Sequence, residues 1–102
     1  MKVFLSPIAE KKIQLLLEYL EQEWSRRSRE DFLLKFRKRL NHISKHPKSC
    51  VKSNQFPNLY KCVVTHQTTL FYRLKLDEIE VVTMIDNRQD PEKISGELEK
   101  FR

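Results

Sequence analysis

Hydrophobic residues in the first half of the chain recur with the period of an α-helix. Residues 2–5 form a short, mostly apolar run that predicts a strand. Ser6-Pro7 follows with a capping hydroxyl and a proline, which the first helical turn tolerates. The next hydrophobic positions come every three or four residues and predict an amphipathic helix that ends near Trp24: Ile13, Leu16, Leu17, Leu20 and Trp24. A polar break at residues 25–28 separates this helix from a second one.

The second helical series ends at a proline. Its hydrophobic positions again share one face: Phe32, Leu33, Phe36, Leu40 and Ile43. Ser28, followed by Asp31, predicts the cap at the start of this helix, and Pro47 predicts its end. Because the connection between the two helices is short, we expect them to form an antiparallel hairpin.

Beyond residue 58 the pattern changes to that of strands. Three segments are rich in valine, threonine, tyrosine and isoleucine: 59–65, 69–75 and 78–85. Their short connections predict a three-stranded antiparallel meander. Residues 48–58 predict irregular structure, and Asp90-Pro91 predicts the start of a short final helix. The predicted fold is α+β, a single domain over residues 1–102: N-terminal strand, antiparallel helical hairpin, three-stranded antiparallel meander and short C-terminal helix, with the helices on one face of the sheet.

Alternation along the strands assigns residues to the two faces of the sheet. The more apolar set is predicted to face the helices: Cys62, Val64, Leu70, Tyr72, Leu74, Ile79, Val81 and Ile85. The opposite face is predicted to carry the remaining positions: Lys61, Val63, Thr65, Phe71, Arg73, Lys75, Glu80, Val82 and Met84. Lys61, Arg73 and Lys75 are therefore expected to project together from a face that no helix covers, with Arg88 just beyond the last strand.

This predicted surface suits a polyanion, and the charge of the whole chain agrees. The net charge is +6 and the isoelectric point is about 9.5, values typical of small domains that bind nucleic acid or an acidic protein. Lysine and arginine neutralise phosphate charge, an aromatic ring such as that of Phe71 can stack on a base, and arginine can stabilise a phosphorane-like transition state without a metal. Two plainer interpretations stay open: Arg73 pairs with Glu80 across adjacent strands, or the charge only keeps the surface soluble.

Several classes of protein are disfavoured. One glycine leaves no room for a phosphate-binding glycine loop, and we expect no cofactor. Cys50 and Cys62 are too few for a disulfide framework and predict the reduced thiols of a cytoplasmic protein. Three histidines without zinc-ligand spacing predict no metal site. No apolar run is long enough to span a membrane, and the apolar start before Pro7 is too short for a signal peptide, so we expect neither membrane binding nor secretion.

Four segments together resemble the RelE/ParE superfamily of bacterial toxins. Residues 3–10, Val-Phe-Leu-Ser-Pro-Ile-Ala-Glu, resemble the start of ParE-type toxins. Residues 70–74, Leu-Phe-Tyr-Arg-Leu, resemble a strand common in the superfamily, and residues 77–82 resemble the strand that follows it. Residues 86–91, Asp-Asn-Arg-Gln-Asp-Pro, resemble the ending of the family's sequences. The resemblance covers almost the whole chain in the family's order, and the long helical hairpin is more similar to the ParE-like members.

The resemblance implies the toxin of a type II toxin–antitoxin system, held inactive by a cognate acidic antitoxin. Lys61 matches a basic residue on the strand before the Phe-Tyr-Arg motif, and Arg73 and Arg88 match two recurrent arginines of the family. Lys61, Arg73 and Arg88 are thereby the implied catalytic residues if the protein is an enzyme, with Phe71 and Lys75 as further binding residues. The segment after Arg88 has no tyrosine or histidine that could serve as the general acid or base of RelE-like cleavage.

The target, and with it the question of enzymatic activity, is left open between hypotheses. The protein is a ribosome-dependent mRNA endonuclease if RelE-like, with Tyr60, His66 or Tyr72 as substitute acid or base. It is a non-enzymatic inhibitor of DNA gyrase if ParE-like. A third hypothesis is a degenerate toxin that remains only as an antitoxin-binding co-repressor.

Overall fold

The helical hairpin follows the first strand directly. In the computed structural model, which describes residues 1–54 and 56–88, β1 is Lys2–Leu5, α1 is Pro7–Glu23 and α2 is Arg26–Lys45. The predicted cap at Ser6 is confirmed, since its hydroxyl accepts a hydrogen bond of 3.0 Å from the backbone N–H of Ala9. The same hydroxyl donates to the carbonyl of Val82 at 2.7 Å, which fastens the start of α1 to the sheet.

The connection between the two helices is shorter than the sequence predicts. The hydroxyl of Ser25 accepts a 3.0 Å hydrogen bond from the backbone N–H of Ser28, so Ser25 caps α2 and the prediction of a cap at Ser28 is wrong. Trp24 and Ser25 alone join the helices. Pro47 ends α2 as predicted, because a residue that precedes proline disfavours the helical conformation.

The sheet has five strands in the order β1-β5-β4-β3-β2. The strands after the hairpin are β2 (Val51–Lys52), β3 (Tyr60–Val63), β4 (Thr68–Leu74) and β5 (Glu78–Asp86). The predicted antiparallel meander is confirmed as β3, β4 and β5. β1 extends it by pairing in parallel with β5, and β2, which lies in the segment predicted to be irregular, pairs with β3 at the other edge. The predicted C-terminal helix lies outside the described residues.

A β-bulge in β5 changes which side chains face the helices. Tyr72 pairs with Val81, whereas the preceding Phe71 pairs with Thr83, so Val82 is the extra residue. An extra residue resets the alternation along the rest of the strand. The predicted faces of Met84 and Ile85 are therefore both wrong: Met84 packs in the core under the helices, and Ile85 packs on the opposite face.

Each face of the sheet has its own hydrophobic cluster. The larger one lies between the helices and the sheet and includes Leu16, Leu20, Phe36, Tyr72 and Ile79. The smaller one lies on the other face, where the segment between β2 and β3 folds over the strands: Phe56, Leu59, Phe71 and Val82. Neither α1 nor α2 covers this second face, and Phe56 and Leu59 pack over its centre. Within residues 1–54 and 56–88, neither helix is long and apolar enough to cross a membrane.

Candidate functional site

Four of the predicted site residues share the face opposite the helices. Lys61 on β3 pairs with Phe71 on β4, and the two side chains therefore point the same way. Arg73 and Lys75 follow Phe71 at intervals of two residues, which keeps them on that face. All three cations are exposed. We refer to Lys61, Arg73 and Lys75 as the cationic face.

Glu80 partly neutralises the cationic face. Arg73 lies directly opposite Glu80 across β4 and β5, and its Nε donates to Oε1 of that carboxylate at 2.5 Å. Nζ of Lys75 lies 3.8 Å from the same oxygen and 5.5 Å from the centre of the Phe4 ring. The ion pair that the sequence left open is thus present. Because the side chain of Arg73 is 48% exposed, water screens this pair, and its contribution to stability is at most about 1 kcal/mol.

Arg88 is held in a different way, by the buried carboxylate of Asp86. Nε of Arg88 donates to one carboxylate oxygen at 2.8 Å and its terminal nitrogen to the other at 2.6 Å. The backbone N–H of Arg88 adds a third bond of 2.9 Å, and the hydroxyl of Thr68 donates a fourth of 2.5 Å. The side chain of Asp86 is only 1% exposed and that of Arg88 18%. We call this group the Asp86 clamp.

The electrostatics of the Asp86 clamp keep both partners charged. Burial by itself raises the pKa of Asp86, but the hydrogen bonds from Arg88 and Thr68 outweigh it, and the net pKa is below the ordinary value. The hydrogen bond to Asp86 in turn raises the pKa of Arg88. The guanidinium of Arg88 is therefore held by an internal partner through two of its three nitrogens.

The Asp86 clamp lies on the helix side of the sheet. Thr68 pairs with Asp86, and Leu70, two residues further along β4, packs in the core under the helices. Arg88 borders a small cleft of about 230 Å³ together with Trp24 and Lys35 of the helical hairpin. The expectation that Arg88 converges with Lys61 and Arg73 on one surface is wrong. Thr68 and Arg73 are five residues apart on β4, which is about 17 Å along a strand, so the two arginines lie on opposite faces and far apart.

Phe71 is not available as a stacking platform. Its side chain is 5% exposed, and the ring of Phe56 packs edge-on against it with 6.1 Å between the ring centres. The expectation of an exposed ring at Phe71 is therefore wrong. Its parity was predicted correctly, but the cover comes from the segment between β2 and β3, whose path the alternation of residues does not encode.

Of the three residues considered as a substitute acid or base, the two tyrosines have structural partners and the histidine lies in a connection between strands. The hydroxyl of Tyr72 donates to the carbonyl of Pro47 at 2.9 Å, and burial raises the pKa of this phenol. The ring of Tyr60 stacks on that of Tyr72 with 5.1 Å between centres. His66 is exposed in the connection between β3 and β4. Among residues 1–54 and 56–88, no cluster of three His, Cys, Asp or Glu side chains could hold a metal ion.

The structure adds a second basic feature that the sequence analysis missed. An open cleft of about 720 Å³ lies where the end of α2 meets the β4–β5 connection, and three lysines border it: Lys45, Lys48 and Lys75. Its apolar lining includes Leu74 and the fully exposed Leu76, and no acidic residue borders it. We call it the basic cleft.

A signal for the basic cleft exists in the sequence as the distribution of charge along the chain. Residues 32–76 contain ten Lys and Arg and no Asp or Glu, whereas the remaining residues contain ten Lys and Arg and fourteen Asp and Glu. The net charge of the whole chain is the sum over these two regions and hides the difference between them.

Comparison with known proteins agrees with this architecture. Residues 3–91 match the family described as the ParE toxin of type II toxin–antitoxin system, parDE. The chain is also similar to a solved structure described as the chromosomal ParDE TA system from P. aeruginosa, with a TM-score of 0.73 at 8% identity over 84% of this chain and 95% of that one. No functionally curated protein is significantly similar to it in sequence.

Two further solved structures show the same fold with lower TM-scores. Both are YoeB-YefM complexes from Staphylococcus aureus, one of them described as a heterotetrameric toxin–antitoxin complex. Their TM-scores are 0.57 and 0.56, at 14% and 17% identity, over 83% of this chain and 94% of each of those chains. Since the family match spans most of the sequence, the chain belongs to the ParE toxin family of type II toxin–antitoxin systems.

Proposed function

We propose that this toxin acts by binding and inhibiting DNA gyrase, without cleaving a nucleic acid, and that a cognate acidic antitoxin keeps it inactive. The observation that carries the proposal is the separation of Arg73 from Arg88. Gyrase inhibition is the activity that the resemblance to ParE-like toxins implies, and the family match supports that subgroup.

Cleavage of RNA would require cations that act on one phosphate. Donors that stabilise a phosphorane-like transition state must all lie within hydrogen-bonding distance of the same group. Thr68, which shares the Asp86 carboxylate with Arg88, lies about 17 Å along β4 from Arg73, and the two arginines are on opposite faces, so they are not placed to contact one phosphate together. Arg88 also uses its Nε and one terminal nitrogen to neutralise the buried Asp86, so moving its guanidinium to a phosphate would leave that carboxylate without its counter-charge. Arg73 is better explained as part of a protein-binding surface, and Arg88 as part of the core.

An acidic antitoxin fits the region between residues 32 and 76. The ten cations of this region attract an acidic chain from a distance, and the basic cleft offers apolar contacts at Leu74 and Leu76. A disordered acidic segment that folds on binding could use both kinds of contact. The similar solved structures are themselves toxin–antitoxin systems, which supports a partner of this kind.

The target is tested with two assays on the same purified toxin. We expect inhibition of DNA supercoiling by gyrase and no cleavage of mRNA on ribosomes. Arg73→Ala should weaken the inhibition, whereas Arg26→Ala, which removes an exposed cation at the start of α2 far from the cationic face, should leave it unchanged. Cleavage of ribosome-bound mRNA with gyrase fully active would refute the proposal.

A second candidate is the ribosome-dependent mRNA endonuclease. The shared position of Lys61, Arg73 and Lys75 on one exposed face favours it, because three cations can follow an RNA backbone. It predicts that pulse-labelling after induction shows arrest of translation before any DNA damage, and that Lys61→Ala and Arg73→Ala abolish cleavage. Harmless expression without antitoxin would instead favour the degenerate co-repressor.

A further inference from the structure

Cys50 and Cys62 face each other across the edge of the sheet. In the antiparallel pairing of β2 and β3, Val51 pairs with Lys61 and Lys52 with Tyr60. One step back along β2 this register places Cys50 directly opposite Cys62. Cys62 belongs to the core under the helices and Cys50 packs against that core, so both side chains are on the same face.

The hydrogen-bond pattern gives this pair the closer of the two antiparallel geometries. The backbone N–H of Ser53 donates to the carbonyl of Leu59 at 2.8 Å, which makes 53 and 59 a hydrogen-bonded pair. Hydrogen-bonded and non-hydrogen-bonded pairs alternate, and counting back from this pair makes 50 and 62 a non-hydrogen-bonded one. The Cα atoms of such a pair are about 4.5 Å apart, within the range that a disulfide spans.

The two thiols differ in exposure. Cys62 is only 2% exposed. Its burial, reinforced by the neighbouring Cys50 and opposed by the charge of Arg39, raises its pKa to about 12. Cys50 is half-buried and is the thiol that a reagent can reach from solvent. The hydroxyl of Tyr72 donates to the carbonyl of Pro47 at 2.9 Å, which ties the segment just before Cys50 to β4.

We propose that Cys50 and Cys62 form a reversible intramolecular disulfide by exchange with a small-molecule disulfide of the glutathione type. The thiolate of Cys50 attacks one sulfur of oxidised glutathione, breaks its S–S bond and releases one glutathione thiolate. Cys62 then loses its proton to solvent and attacks the sulfur of Cys50, which releases the second glutathione. Two protein thiols are oxidised and one glutathione disulfide is reduced to two thiols, so atoms and electrons balance.

The disulfide would fasten the edge of the sheet to the end of α2. It encloses the eleven residues between Cys50 and Cys62, including β2 and the segment that carries Phe56 and Leu59. The residues just before Cys50 include Pro47 and Lys48, which border the basic cleft. Oxidation therefore restricts the segment next to that cleft. This inference is independent of the proposed target, and its test needs neither gyrase nor antitoxin.

The test is equilibrium of the full chain with buffers of reduced and oxidised glutathione, followed by acid quenching and mass measurement. We expect a monomer that has lost two hydrogen atoms and carries no glutathione. Since the disulfide constrains the unfolded chain, its equilibrium constant should be on the order of 100-fold larger in the folded protein than in urea, and Tm should rise by on the order of 10 °C. Equal constants in the two states, disulfide-linked dimers, or a glutathione adduct as the only product would overturn the proposal.

Two serine variants distinguish the roles of the two thiols in the exchange. Cys62→Ser should stop at a stable glutathione adduct on Cys50, and Cys50→Ser should react much more slowly because Cys62 is buried. Rapid reaction of Cys50→Ser would contradict the assigned order of attack. Circular dichroism confirms that each variant is folded, and if Cys62→Ser does not fold, the wild type and Cys50→Ser still decide the question.

Discussion

The pair of Arg73 with Glu80 and the pair of Arg88 with Asp86 join the same chemical groups in different surroundings. Arg73 is 48% exposed and meets, on the neighbouring strand, a carboxylate that is 12% exposed and that Lys75 also approaches. Arg88 is 18% exposed and binds a carboxylate that is 1% exposed and has a second donor in Thr68. Both arginines pair with a carboxylate, yet their energetics differ because burial differs.

The comparison separates an exchangeable partner from a fixed one. Arg73 can leave Glu80 for a carboxylate or phosphate of a target at a smaller cost, because its own side chain is half exposed and Lys75 remains beside Glu80. Arg88 cannot do so without stranding a charge in the core, which is strongly destabilising. We therefore propose that Arg73 serves recognition and Arg88 stability, and four predictions test that division.

The largest expected effect is on the stability of Arg88→Ala. Removal of the guanidinium leaves the buried carboxylate of Asp86 with Thr68 and a backbone N–H as its remaining partners, and we expect a loss of about 3–5 kcal/mol in the free energy of unfolding. Urea denaturation of this variant beside Arg73→Ala measures the difference. A loss below about 1 kcal/mol, the value for exposed pairs, would remove the distinction between the two arginines.

The next effect is the dependence of stability on pH at Asp86. The folded-state pKa of Asp86 is below its unfolded-state value of about 3.9, so its stabilisation is complete above that value and is lost as the pH falls through the folded-state pKa. At pH 7 Asp86→Asn should be less stable than the wild type by about 2 kcal/mol, and this gap should narrow in acid. Urea unfolding at a series of pH values from about pH 2 to about pH 7 measures the gap. A gap that is constant with pH would show that Asp86 is not held as a carboxylate.

A smaller effect is expected at Arg73, and it should concern binding of the target more than stability. Arg73→Ala should change the free energy of unfolding by less than about 1 kcal/mol while weakening inhibition of gyrase by roughly tenfold, which is about 1.4 kcal/mol. Supercoiling assays across a range of toxin concentration give the affinity, with Arg26→Ala as the matched control. Equal affinities of Arg73→Ala and wild type would exclude the cationic face as the contact.

The smallest effect is expected from Glu80→Gln. This variant removes the charge that Arg73 and Lys75 share and leaves the cationic face with its full positive charge. Association with an acidic antitoxin peptide should become a few-fold faster at low salt, and the gain should disappear in high salt. Stopped-flow fluorescence at two ionic strengths measures both rates. A gain that persists in high salt would mean that the variant acts through shape and not through charge.

The sequence predicts the elements well because each carries its own periodic signal. The cap at Ser6, the stop at Pro47 and the three strands of the meander depend on neighbours close in the chain, and all are confirmed. Alternation also assigned Val81 correctly to the face under the helices.

The errors arise where the signal is not local. No residue pattern reveals the extra position at Val82, so Met84 and Ile85 were assigned to the wrong faces. Arg88 follows a strand, and a residue beyond the end of a strand has no parity from which its direction can be predicted. Its position is set instead by the buried acid two residues earlier, and burial of Asp86 becomes visible only when the sheet and helices pack.

The bulge at Val82 also bears on how related toxins are aligned. Ser6 binds the carbonyls of Val81 and Val82 on either side of this position, so the first helix holds the extra residue in place. A homologue that lacks one residue here would turn the carboxylate equivalent to Asp86, and the arginine paired with it, to the opposite side of its sheet. Two aligned arginines in the same column can then serve different purposes, and the gap beside them is the better guide to which one reaches a target.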